Sequence, residues 1–265
     1  MKRYVSFFKM RLIAGLQYRT AALAGLSTQL VWGTLEILLY RAFYLDHPDT
    51  FPMGMQALSS YIWLQQAFLT LFAAWMWETE LFQSVQNGTV AYELLRPVDL
   101  YGMWMFRSLA LRLSRCLLRA VPVILVASLI PSPYGLRITV APQDFLLFLL
   151  SMTLMLWVVV AMGMLCYSLS FYLVDAKGLT TLISALTELL SGSVVPLPFF
   201  PEKLRSLAEL GPFGAMQNVP LRIFGGDITN IPRAMGLQLF WAALLTLTGY
   251  VLMQQGVRRT TIAGG

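Results

Sequence analysis

Six stretches of the chain stay apolar for close to the roughly 20 residues that a helix needs to cross a hydrocarbon core of about 30 Å. They cover residues 21–45, 57–77, 108–130, 145–172, 178–195 and 234–257. Polar residues gather between them, a pattern that predicts an all-α, polytopic chain of six transmembrane helices forming one membrane domain over 1–265. The third stretch is the least regular, because Arg112, Arg115 and Arg119 occupy its first half. The first is too long for a cleavable signal, carries Gln29 and Glu36 and lacks a small-residue cleavage site, so the whole chain is expected to persist.

Residues 1–19 follow a different period. Tyr4, Val5, Phe8, Leu12 and Leu16 fall on one side of a helix, and Lys2, Arg3 and Lys9 on another. This predicts an N-terminal amphipathic helix in the membrane interface, with a plain basic flank as the alternative. The connection between the fifth and sixth stretches interleaves Pro196, Pro198, Pro201, Pro212, Pro220 and Pro232 with apolar residues. Proline at that spacing breaks helices, and broken backbone at bilayer depth persists only where protein or a water-filled cavity satisfies it. A re-entrant hairpin capping the outer end is expected, with an ordinary folded loop as the alternative.

Composition sharpens the class. The chain is 57% hydrophobic and 12% charged, against roughly 25% charged residues in an average soluble domain. Its formal charge of +6 does not point to nucleic acid, because the basic residues flank apolar stretches instead of forming a patch. Counted over alternate connections, 13 of the 19 Lys and Arg residues fall on the side of the N-terminus. The positive-inside rule then puts both termini in the cytoplasm of a multi-pass inner-membrane protein.

The residues needed for familiar catalysis are missing. Cys116 and Cys166 fall within apolar stretches and read as small buried side chains, and His47, beside Pro48, is the single histidine. A histidine-based metal site or catalytic triad therefore has no parts. No metal site, bound cofactor or enzymatic activity is expected.

The connection 78–107 is more informative. Its sequence reads as a short helix ending at Asn87-Gly88, a second short helix and a stop at Arg96-Pro97. Leu81, Phe82, Val85, Leu94 and Leu95 are too apolar for a freely solvated loop and need something to pack on. Gly88, Leu94, Leu95, Arg96 and Pro97 make a G-x-x-x-x-x-L-L-R-P pattern. Together with the Val-Pro-Leu and Phe-Pro stretch after residue 193, the N-terminal helix and six spans, the chain resembles an ABC type-2 transporter permease along its whole length.

The resemblance implies that two such permeases, identical or related, form a substrate pathway across the bilayer. Separate cytoplasmic ABC ATPase subunits would hold ATP and Mg and drive export. No G-x-x-x-x-G-K-[ST] phosphate loop occurs in this chain. The resemblance further implies that the loop after the second span is the coupling element, which makes Glu80, Phe82, Val85, Gly88, Tyr92, Glu93, Leu94, Leu95, Arg96 and Pro97 the candidate ATPase contacts. Phe82 and Leu94 are its expected anchors.

Charged residues inside the predicted spans are the candidates for a substrate pathway. Glu36 and Glu188 are costly at mid-span and must face the protein interior or become protonated. Arg112, Arg115 and Arg119, spaced i, i+3, i+7, share one side of a helix and suit either an anionic head group or snorkelling to the inner leaflet. An ion-coupled secondary transporter using Glu36 and Glu188 is the alternative function. No inverted pair of halves with matching broken helices supports it.

Overall fold

The computed structural model describes residues 2–17, 19–46, 51–138 and 141–259. His47 and Pro48 lie outside them. Four helices dominate: α2 (Arg19–Asp46), α7 (Leu100–Leu129), α8 (Pro142–Leu169) and α12 (Ile231–Arg259). Residues 22–45 of α2 and the whole of α8 and α12 are long and apolar enough to cross a membrane. α7 is as long, but its arginines lower its apolar character. The first helix, α1 (Lys2–Leu16), lies along α7, with Tyr4 stacked on Phe106 at 5.5 Å. Val5, Met10 and Ile13 remain on its outer side.

α8 and α12 form the tightest pair and run in the same direction. Ser151 meets Gln238 near their N-terminal ends, and the Tyr172 hydroxyl donates to the Leu252 carbonyl near their C-terminal ends. The chain between them must therefore return along the bundle. It does so through α9 (Lys177–Leu190) and a non-helical continuation. Three shorter elements follow: a 3-10 turn at Leu197–Phe199, α10 (Glu202–Leu210) and α11 (Asn218–Gly225).

Two of the predicted spans are only partly helical. Residues 57–77 were expected as one helix, but α3 (Met55–Ala67) stops at Phe68, α4 (Leu69–Phe72) adds one turn, and the backbone then leaves the helix. Thirteen helical residues reach only about 20 Å at 1.5 Å per residue. Residues 178–195 end their helix at Leu190. Gly192, at φ +83, makes the left-handed turn that a residue with a Cβ adopts only under strain.

Each break is satisfied by protein groups, as buried backbone must be. Beyond α9, the Gly192 carbonyl accepts from the Tyr61 hydroxyl and from Gln217, and the Ser193 carbonyl accepts from Gln65. α3 supplies two of those donors and is buried on every side from Leu58 to Ala67. Beyond α4, the partner is Arg112. Its Nη1 donates to the carbonyls of Ala73, Thr70 and Leu71 at 2.8, 3.2 and 3.3 Å.

Candidate functional site

The connection after α4 folds into two short helices, α5 (Thr79–Gln86) and α6 (Val90–Leu94). The turn between them needs Gly88, whose φ is +71. α5 turns its apolar side inward. Leu81 and Phe82 are buried, and the Phe82 ring lies 4.8 Å from Tyr167 and 6.1 Å from Trp77.

α6 does the opposite at its C-terminal end. Val90 is buried, but Tyr92 is 74% and Leu95 81% exposed. Arg96 and Pro97 continue that exposed surface.

Polar contacts hold the pair from behind. Arg107 of α7 donates to Glu78 at 2.6 Å and also bonds Glu80, while Ser108 donates to the other Glu78 oxygen at 2.5 Å. Burial disfavours the charged guanidinium of Arg107, but Glu78 and Glu80 outweigh it and push its pKa up, so it stays charged. Glu93 accepts from the indole N–H of the fully buried Trp104 at 2.5 Å. Asp99 caps α7 by accepting from the Gly102 amide and also accepts from Gln254 of α12. The Pro97 carbonyl accepts from Arg3, which ties α1 to the same junction.

These positions divide the candidate coupling residues. Phe82 is enclosed by the protein's own aromatics, and Val85 and Leu94 pack half-buried against the core. Glu93 is engaged by Trp104. Glu80, Gly88, Tyr92, Leu95, Arg96 and Pro97 stay at the surface. The expected anchors Phe82 and Leu94 are thus used internally, and Tyr92 and Leu95 are the large apolar residues of the set left exposed. Glu78, Asp99, Trp104 and Arg107 were not among the candidates. Asp99 had a local signal, an acidic residue just before a helical run. The partners of Glu78 come from α7, and no short-range pattern announces them.

The arginine stripe also divides. Arg112 is buried and caps α4, whereas Arg115 and Arg119 line a cavity of about 570 Å³ between α1, the start of α2, α7 and the segment entering α5. A helical i, i+3 step rotates by about 60°, so residues that share a side need not share a neighbour. Glu36 of α2 lies against Gln66 of α3. Glu188 of α9 lines a separate small pocket beside Gln217. Among the described residues no hydrogen bond joins the two carboxylates.

Comparison with known families identifies the chain. The family model described as ABC-2 family transporter protein matches residues 30–264, nearly all of the sequence beyond α1 and the first part of α2. A search of curated proteins gave no match. The chain belongs to the ABC-2 transporter family, and it is therefore a membrane-embedded permease of an ABC transporter, a transport subunit and not an enzyme.

Proposed function

We propose that this ABC-2 family member is the membrane-spanning half of an ATP-driven exporter, working as a dimer with an identical or related permease. A separate nucleotide-binding subunit, which binds ATP and Mg, docks on α5 and α6. The observation that carries the reading is the exposed pair Tyr92 and Leu95 on a hairpin braced from behind by Glu78, Glu93 and Arg107. A rigid element with apolar residues facing outward can receive a push and pass it to α7. The parallel α8 and α12, with α9 returning between them, are consistent with six spans and both termini in the cytoplasm, as is the excess of Lys and Arg at that end. The outward Val5, Met10 and Ile13 of α1 suit a helix in the membrane interface, and the segment from Gly192 to Gly225, whose Gly192 and Ser193 carbonyls are bonded by Tyr61, Gln217 and Gln65, suits a re-entrant cap.

The test is recovery of an ATPase with the tagged chain from its native membranes. An exposed aromatic or aliphatic anchor is worth about 2 kcal/mol or more on truncation, roughly thirtyfold in affinity. The combined change Tyr92→Ala and Leu95→Ala should therefore largely abolish ATPase recovery. Undiminished recovery with normal export would place the contact elsewhere. Failure of the unaltered chain to bring down any ATPase would sink the exporter assignment.

A further inference from the structure

The cavity beside α1 carries more positive charge than the fold uses. Arg107 is occupied by Glu78 and Glu80, a cluster of formal charge −1. Arg11 and Arg115 add +2, leaving these five groups at +1. Arg115 has no hydrogen bond or ion pair among the described residues, and Arg11 lies over the ring of Phe7, whose centroid is 5.4 Å from its guanidinium carbon. Two guanidinium groups thus face roughly 570 Å³ of open volume without an anionic partner of their own. Guanidinium forks match phosphate oxygens in geometry and charge.

The remaining lining identifies the source of the anion. Ala14 of α1 and Leu111 and Leu118 of α7 give the cavity an apolar lining, and Ala22 places it where the apolar stretch of α2 begins. A soluble phosphate has no use for the apolar wall, whereas a phospholipid presents phosphate and glycerol at that level with acyl chains alongside.

We propose that this cavity is a binding site for an anionic glycerophospholipid, with Arg11 and Arg115 on its phosphate and α1 as one wall. The site would couple the position of α1 to the lipid composition of the inner leaflet. The inference rests on α1 lying at the membrane surface, but not on which ATPase, if any, the chain recruits.

The experiment is native mass spectrometry of the full-length chain in detergent, titrated with phosphatidylglycerol, phosphatidylcholine or inorganic phosphate. Phosphatidylglycerol should be retained in preference to phosphatidylcholine. Arg11→Gln with Arg115→Gln should weaken that retention about thirtyfold, at roughly a fivefold loss per arginine. Ala14→Trp, which fills the apolar side without changing charge, should weaken it as well, so the site stays testable if the double arginine variant fails to fold. Equal retention of the two lipids, or unchanged retention in both variants, would overturn the proposal. Displacement by millimolar inorganic phosphate would show an anion site without a lipid, and would overturn the assignment to a phospholipid.

Discussion

α5 and α6 are neighbours in the chain, both short, both apolar for a loop, and they use their apolar residues in opposite ways. Leu81 and Phe82 are 1% and 7% exposed, against 74% and 81% for Tyr92 and Leu95. α5 is covered by Trp77, Tyr167 and α7, so its side chains hold the hairpin to the bundle. α6 is gripped only through Val90, Leu94 and the Glu93 carboxylate, which leaves its far side open. An apolar loop residue therefore marks a partner surface only where the protein's own core has not already claimed it. Scaffold and proposed docking surface lie within one 16-residue segment, Thr79–Leu94, and its immediate continuation.

The largest effect expected from this contrast is on stability. Phe82→Ala empties a site enclosed by Tyr167 and Trp77, and large-to-small core changes of this kind cost about 3–5 kcal/mol. The melting temperature in detergent should fall steeply, and any loss of ATPase recovery should track unfolding. Tyr92→Ala and Leu95→Ala, by contrast, should leave the melting temperature nearly unchanged, since exposed substitutions usually stay within about 0.5 kcal/mol. If Phe82→Ala and the Tyr92 and Leu95 changes destabilised the chain equally, the division into scaffold and surface would be wrong.

Glu93 tests the same division at a polar contact. Its carboxylate satisfies the N–H of a Trp104 that has no access to solvent, so Glu93→Ala leaves a buried donor unpaired, at about 1–3 kcal/mol. Glu93→Gln keeps an acceptor in place and should recover most of that loss. Thermal denaturation of both variants distinguishes a structural carboxylate from a docking charge. If Glu93→Gln were as harmful as Glu93→Ala to ATPase recovery but harmless to stability, Glu93 would belong to the docking surface after all.

Much of this is legible in the sequence. Runs of apolar residues marked α2, α8 and α12 directly, and the Asn87-Gly88 and Arg96-Pro97 stops bracket the two helices as observed. The break after α4 was not legible. Residues 57–77 are apolar throughout, and hydropathy cannot register that Arg112, far along the chain, captures the carbonyls of Thr70, Leu71 and Ala73. The same arginine was read as one of three equivalent charges. Its separation from Arg115 depends on the height at which α4 ends, a fact of packing. The burial of Phe82 is not legible for a related reason: its cover, Tyr167, comes from α8.

The smallest expected effect concerns the turn that separates the two helices. Gly88 sits at φ +71, in the left-handed region, and a Cβ added there would meet nothing within 4 Å. Gly88→Ala therefore changes backbone preference without a clash. The left-handed conformation costs an ordinary L-residue about 1–2 kcal/mol. Part of that is offset because alanine also restricts the unfolded chain, by about 0.4–1 kcal/mol. The net loss should be near 1 kcal/mol or less, read as a small drop in melting temperature. Gly88→Asn should lose less than Gly88→Ala, because asparagine enters the left-handed region more readily. An alanine variant as stable as the parent would mean that the turn does not hold this conformation in the membrane-extracted protein. The relative orientation of α5 and α6, on which the exposure of Tyr92 and Leu95 depends, would then be set by the Glu93 and Arg107 contacts alone.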